Sequence, residues 1–393
     1  MPGEHAKLSA SGASRWLMCT PSAVLETEFP NNTSEAAEEG TLAHNIGELL
    51  IRTYIGRVSE AAKNDCLKNH SKDKFYNPEL LEYATDYAAY VISEFEKSKL
   101  KTPDAILEVE ARLDMTDYIP EGFGTGDAVI IADGTLRIID LKYGKGVPVS
   151  CVENKQMMLY ALGALKAYDF LYDIQRVEMT IYQPRLSNIS TWGIDVENLR
   201  SWAEGFLKPR AELAFKGEGE FLPGAHCKFC RAKNECKALA DENLKVFDQF
   251  AGKNPALLSD KEMVIIIEKA DDIASWAKAM GAYVLDQAVN NGKVWPGYKL
   301  VEGRSNRAFT DEEKVAEVLS LEGFKDEQIY KPKTLYGITE LEKVVGKKNF
   351  NPLLGEFITK PSGKPTLAPI ADPRPEFNVS AKAFDSINDE ELK

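Results

Sequence analysis

Gly124-Thr-Gly-Asp127-Ala-Val-Ile-Ile-Ala132-Asp-Gly-Thr135-Leu-Arg-Ile-Ile-Asp140-Leu-Lys142 carries the strongest structural signal in the chain. Two apolar runs, each bounded by an aspartate, flank Asp133-Gly134, a dipeptide that closes tight hairpins. The spacing predicts strands over Asp127–Ala132 and Thr135–Leu141. Asp127 then begins one strand and Asp140 ends its partner, so both lie at the same edge of the sheet. Asp140 and Lys142 are two apart, which in a strand puts them on one face.

Two carboxylates roughly 5 Å apart repel by about 3 kcal/mol at an effective dielectric of 20. A site that keeps both ionised wants a divalent cation, and oxygen ligands select Mg²⁺ or Mn²⁺. A lysine beside them steadies a water nucleophile or phosphate oxygens, so the set suits phosphodiester hydrolysis. A surface hairpin with a salt bridge between strand ends explains the same residues more simply. The apolar Ile138, Ile139 and Leu141 weigh against that, because charges kept at the end of a core strand are more often functional.

Working outward, Leu107, Val109, Ala111 and Leu113 alternate with Glu108, Glu110 and Arg112, the pattern of a half-buried strand. Val177–Tyr182 and Thr191–Ile194 read as further strands. Helices are expected over Glu35–Tyr54, interrupted at Gly40-Thr41, and over Asn77–Lys97, Val152–Tyr168 and Lys261–Asn290. Another spans Val196–Phe215, bent or interrupted by Pro209. Gln156 and Tyr160 are four apart on the helix after the hairpin and share a face; they suit phosphate or base contacts, or a partly buried polar pair. His44 lies about 200° around its helix from Leu42, off the apolar stripe, where a solvent-facing histidine is the plainer reading.

The 393 residues allow one large domain or two ordinary ones. Composition is that of a globular protein, with 44% apolar and 28% charged residues. No apolar run approaches the ~20 residues of a membrane span. The N-terminus lacks a signal-peptide pattern, so a cytoplasmic location is expected. A net charge of −13 excludes a generally basic nucleic-acid coat. It leaves room for a nuclease, whose metal site itself needs acids. Disulfides are not expected in such a compartment.

Cys227-x2-Cys230-x5-Cys236 has metal-ligand spacing, since an x2 turn aims two thiolates at one ion. Three cysteines need a fourth ligand. His226 is poorly placed to share the metal of its neighbour, and Cys66 and Cys151 lack a matching context. Cys19, near the end of a short N-terminal helix stopped by Pro21, is the better candidate. Four cysteines suit zinc or an iron–sulfur cluster.

Asp127 in its Gly-x-Gly-Asp setting, Asp140-Leu-Lys142, Gln156-x3-Tyr160 and the upstream Gly40-Thr-Leu-Ala-His44 together resemble the RecB-like branch of the PD-(D/E)xK nucleases. The resemblance implies a restriction-endonuclease-like α/β core, a mixed central sheet flanked by helices. It implies His44, Asp127 and Asp140 as ligands of Mg²⁺ or Mn²⁺ with the Leu141 carbonyl, Lys142 as the catalytic lysine, and Gln156 and Tyr160 as DNA contacts. The cysteines are similar in placement to those of the iron–sulfur members of that branch, including the AddB subunit and CRISPR-associated nucleases. That similarity implies a [4Fe–4S] cluster on Cys19, Cys227, Cys230 and Cys236, with Zn²⁺ as the alternative.

The family pattern covers about Leu8 to Ala240, giving a nuclease domain over residues 1–245. An accessory mixed α/β region follows over 246–359, then a proline-rich, extended or disordered tail over 360–393. Comparable extensions occur in RecB-like nucleases of bacteriophages. Arg304 and Arg307 offer a small basic patch for a DNA backbone, though a solvated loop explains them equally. The resulting expectation is a metal-dependent deoxyribonuclease acting on linear DNA ends in phage recombination or replication. DNA is the expected partner, and a single-strand-binding or replication protein a possible second. The competing expectation is a non-catalytic module that keeps the fold to hold DNA or a replication partner.

Overall fold

The computed structural model describes residues 6–30, 35–250 and 258–301, with isolated positions beyond. Nearly all of these belong to a unit spanning Met1–Leu300. Arg304, Arg307 and the expected tail over 360–393 lie outside the described residues.

The architecture is mixed α/β, built on a five-stranded sheet in the order β1-β2-β3-β4-β5. The strands are β1 (Ile106–Asp114), β2 (Phe123–Ala132), β3 (Gly134–Leu141), β4 (Ile174–Gln183) and β5 (Asn188–Asp195). Neighbours are antiparallel except β3 and β4, which run parallel. Before the sheet come α1 (Glu35–Tyr54), α2 (Glu60–His70) and α3 (Pro78–Lys99); α4 (Lys155–Tyr168) is the crossover that a parallel β3–β4 pair requires. After it come α5 (Val196–Trp202), α6 (Lys208–Lys216), α7 (Lys237–Phe250) and α8 (Asp260–Asn290). Among the described residues no helix is long and apolar enough to cross a membrane.

Local chemistry sets most of these boundaries. The β2–β3 hairpin turns through Asp133 and Gly134, and Gly134 takes a φ of +75° that costs a glycine nothing. Asn77 caps α3 by accepting from the Leu80 amide, and Asn154 caps α4 through the Met157 amide, which moves its start past Val152. The expected break at Gly40-Thr41 does not occur: α1 runs unbroken through it. One helical glycine costs about 1 kcal/mol, less than burial of Leu42, Ile46 and Ile51 returns. Pro209 does interrupt its helix. It lacks the N–H that would bond back one turn, and a π-helical turn over Ala203–Leu207 separates α5 from α6.

The sheet is buried on both faces. On one, Leu42 and Ile46 of α1 and Leu80 and Val91 of α3 pack with Ala128, Ile130, Ile139 and Leu141. On the other, Met157, Leu162 and Leu165 of α4 and the N-terminal Leu8, Trp16 and Leu17 pack with Val129, Ile131, Leu136 and Ile138. The alternation in β1 predicts a single buried face, and the structure corrects that. Leu107 and Val109 belong to the α1–α3 core, whereas Ala111 and Leu113 belong to the α4 core. The switch falls at Glu110, whose φ of +51° is left-handed, a conformation uncommon outside glycine.

Gly47 fixes the distance between α1 and α3. A Cβ there would sit 2.8 Å from Tyr87 Cδ1. Alanine at 47 gains about 1 kcal/mol of helix propensity, but overpacking typically costs ~1–3 kcal/mol. Gly47→Ala is therefore expected to lower the urea midpoint, by about 1 kcal/mol of stability; an unchanged or raised midpoint would show that the two helices pack loosely.

Candidate functional site

The site begins with strand register. Ala128 pairs with Ile139, so one step along Asp127 lies across from Asp140. The pairs Val109–Ala128 and Ala111–Gly126 bracket Glu110 and Asp127 in the same way. Three carboxylates thus form a row across β1, β2 and β3. Burial would drive such a row to protonate unless cations answer it.

Two cations do. His44 Nδ1 reaches from α1 to within 3.2 Å of Asp127 Oδ2, and the same oxygen accepts the Leu141 backbone N–H at 2.7 Å. Lys142 Nζ lies 2.8 Å from Asp140 Oδ2. The Lys142 backbone N–H donates to Tyr182 O at 2.9 Å, so the β3–β4 ladder carries this residue past the strand end. Gln156 ties the set to α4: its Oε1 accepts from Lys142 at 3.1 Å, and its Nε2 donates to the Tyr160 hydroxyl at 3.0 Å. Gly124 leaves room for the Tyr160 ring, since a Cβ there would meet Cε1 at 2.9 Å. His44, Asp127, Asp140, Lys142, Gln156 and Tyr160 are therefore brought together.

Protonation follows from this packing. Burial disfavours a charged His44, but the charge and hydrogen bond of Asp127, with Asp140 and Glu110 behind, outweigh it and raise the imidazole to about 9. Burial also opposes ionisation of Asp127, yet His44, Lys142 and the Leu141 N–H hold it below the usual carboxylate range. Burial pushes Glu110 up to about 7, aided by the charge of Asp127. Lys142 stays a cation: burial lowers it, and the two aspartates more than compensate.

Glu110 is the residue that sequence reasoning missed. Its ligand atom lies within 4.8 Å of those of His44 and Asp127, and among the described residues these form the only such group of histidine, cysteine or carboxylate ligands. Asp140 stands one step away on Lys142. Beside the site, a groove of about 540 Å³ opens between Gly40, Thr41 and His44 of α1 and Lys142, Gly144 and Gly146 of the loop after β3.

The predicted cysteines also gather. Cys19, Cys227, Cys230 and Cys236 all line one small cavity of about 20 Å³. No three of their sulfurs come within 4.8 Å of one another. Burial raises the Cys230 thiol to about 12 and lifts that of Cys227, with Cys19 and Cys236 adding to the latter. Cys66 is exposed, and Cys151 is buried elsewhere with its thiol on Met179 O at 3.0 Å. Buried Glu26 fastens the two sequence segments that supply the cavity: it accepts Arg15 Nε and the Arg231 backbone N–H, both at 2.7 Å. Thr20 adds a bond to Glu218 O at 2.6 Å.

A cation on His44 and Glu110 must displace their protons, one leaving near pH 9 and the other near pH 7. Mn²⁺ affinity is therefore expected to rise about tenfold per pH unit between pH 7 and 9, and more steeply below 7, where two protons leave. Calorimetric titration with Mn²⁺ across pH 6–9 checks this. An affinity independent of pH would remove His44 from the ligand set, and a single-proton slope below pH 7 would remove Glu110.

Among solved structures, the chain is similar to one described as the crystal structure of SSO0001. The identity is 15% over 49% of this chain and 85% of that one, with a TM-score of 0.22, a likeness too slight to bear on fold or function. A family model, described as a protein of unknown function (DUF2800), matches residues 5–375. By that match, which takes in both the carboxylate row and the cysteine cavity, the chain belongs to the DUF2800 family.

Proposed function

We propose that this protein is a divalent-metal-dependent deoxyribonuclease with a PD-(D/E)xK-type core of the RecB-like branch. The observation that carries the reading is the convergence of Glu110, Asp127 and Asp140 with His44 and Lys142 beside an open groove. A module that only binds DNA gains nothing from three carboxylates facing phosphates. A cation reverses their effect.

The donor set fits Mg²⁺ or Mn²⁺: carboxylate oxygens and one imidazole, with no thiol among them. His44 and Asp127 would hold the ion, with Asp140 and Glu110 on either side in the strand register. Such an ion supplies charge neutralisation and an activated water. Lys142 directs two of its three ammonium hydrogens to Asp140 and Gln156, which leaves one for a phosphate oxygen in the groove. Gln156 keeps that ammonium aimed, and Tyr160 keeps Gln156 aimed. Action on linear DNA ends, and a setting in phage recombination or replication, follow from the family resemblance alone.

The four cysteines around one cavity, Cys19, Cys227, Cys230 and Cys236, suit a [4Fe–4S] cluster by the family resemblance, with Zn²⁺ as the alternative. The cluster's part would be structural, joining the N-terminal turns to the segment after the sheet.

Protein purified without oxygen is to be incubated with Mn²⁺ and end-labelled linear or closed circular DNA, single- and double-stranded. Linear DNA is expected to be degraded, with loss of about 100-fold or more in Lys142→Ala and Asp140→Ala; full activity in both variants would sink the reading. The same preparation should be brown, with broad absorbance near ~400 nm that disappears in Cys230→Ala. A colourless sample containing zinc would reassign the cysteines.

A further inference from the structure

Tyr87 has no place in the chemistry described so far. It lies in α3, is 2% exposed, and its hydroxyl has no hydrogen-bond partner among the described residues. Its ring passes over Gly47, one turn beyond His44 on α1, and lies 5.9 Å from the ring of Tyr182, the residue that pairs with Leu141. This path leads toward the carboxylate row. Burial, and behind it the charges of Asp127, Asp140 and Glu110, keep the hydroxyl a neutral O–H. Tyr143 makes a useful contrast. Its hydroxyl is also without a partner among the described residues, but the charges acting on it are those of Arg185, Glu39 and Glu79 rather than those of the row.

A buried hydroxyl with an unused hydrogen weakens a fold unless something accepts that hydrogen. Phenylalanine would fill the same space without the penalty, so the oxygen needs a reason. We propose that Tyr87 is a positioning residue of the cation site, its hydroxyl donating to a water that enters between it and the carboxylate row together with the divalent ion. Gly47 leaves room for the ring there, since a Cβ at that position would crowd Tyr87 Cδ1 at 2.8 Å. Tyr87 acts on the ion through that water, much as outer partners orient the inner ligands of metal sites. The assignment rests on the metal-centre reading above, and its test separates the two.

Tyr87→Phe removes one oxygen and keeps the ring on Gly47. Metal-free thermal stability is expected to be unchanged or higher, because the variant loses a group with no partner. Mn²⁺ should bind about tenfold more weakly, and the water-proton relaxation per bound Mn²⁺ should change as the ordered water is lost. His44→Ala serves as the control and should lose Mn²⁺ binding altogether. Equal Mn²⁺ affinity and relaxation in wild type and Tyr87→Phe overturn the assignment while leaving the metal centre intact. A lower metal-free melting temperature with unchanged affinity also overturns it, since the hydroxyl would then be structural. A wild-type protein that does not bind Mn²⁺ overturns the metal-centre reading and this assignment with it.

Discussion

Three like charges in one row, on three adjacent strands and largely out of water, are the constraint from which the rest of this structure follows. Glu110, Asp127 and Asp140 sum to −3 when ionised, and His44 and Lys142 answer with +2 when both are protonated. The neighbourhood is therefore short of positive charge even at its best. It meets the deficit in part by leaving Glu110 partly protonated near neutral pH and by spending the Leu141 N–H on Asp127. A divalent ion replacing the proton on His44 removes the shortage without new side chains. Each surrounding element serves the same need. The β2–β3 hairpin sets Asp127 against Asp140, α1 carries His44 inward, and α4 holds Lys142 through Gln156.

Much of this was legible in the sequence because it rests on short-range rules. Asp133-Gly134 between apolar runs can hardly be anything but a hairpin, and its register decides which acids face each other. Gln156 and Tyr160 met because residues four apart on a helix always do. His44 was reachable by a different route, the resemblance of whole motifs, since nothing in local periodicity singles it out. Physical spacing alone gave the plainer reading of His44 equal standing.

Glu110 was hidden for a specific reason. Along β1 it looks identical to Glu108, an acid on the polar phase of an alternating strand. Glu108 does behave that way, in an exposed bidentate pair with Arg57 at 2.7 and 2.8 Å. What separates them is the left-handed backbone at 110 and the change of core that goes with it. Such a reversal has no signature in residue type here, since glycine or asparagine would be the usual marker. Helix α1 shows the opposite error. Gly40 weakens the helix locally, but tertiary burial decides there and the helix continues. In both places, packing against the far side of the sheet overruled a short-range pattern.

The Glu26 fastening has a consequence for when this domain can become whole. Glu26 and Arg231 are 205 residues apart in sequence, and Cys19 lies as far from the three other cysteines that line the cavity. During synthesis the N-terminal turns emerge early and must wait, with half their cavity missing, until the segment around Arg231 leaves the ribosome. At roughly 5–20 residues per second that wait lasts on the order of ten seconds or more. The sheet and the carboxylate row lie between these two segments and can form meanwhile. The cysteine cavity then closes after the sheet, so a chain truncated before Cys227 would hold the carboxylate row without the second half of that cavity.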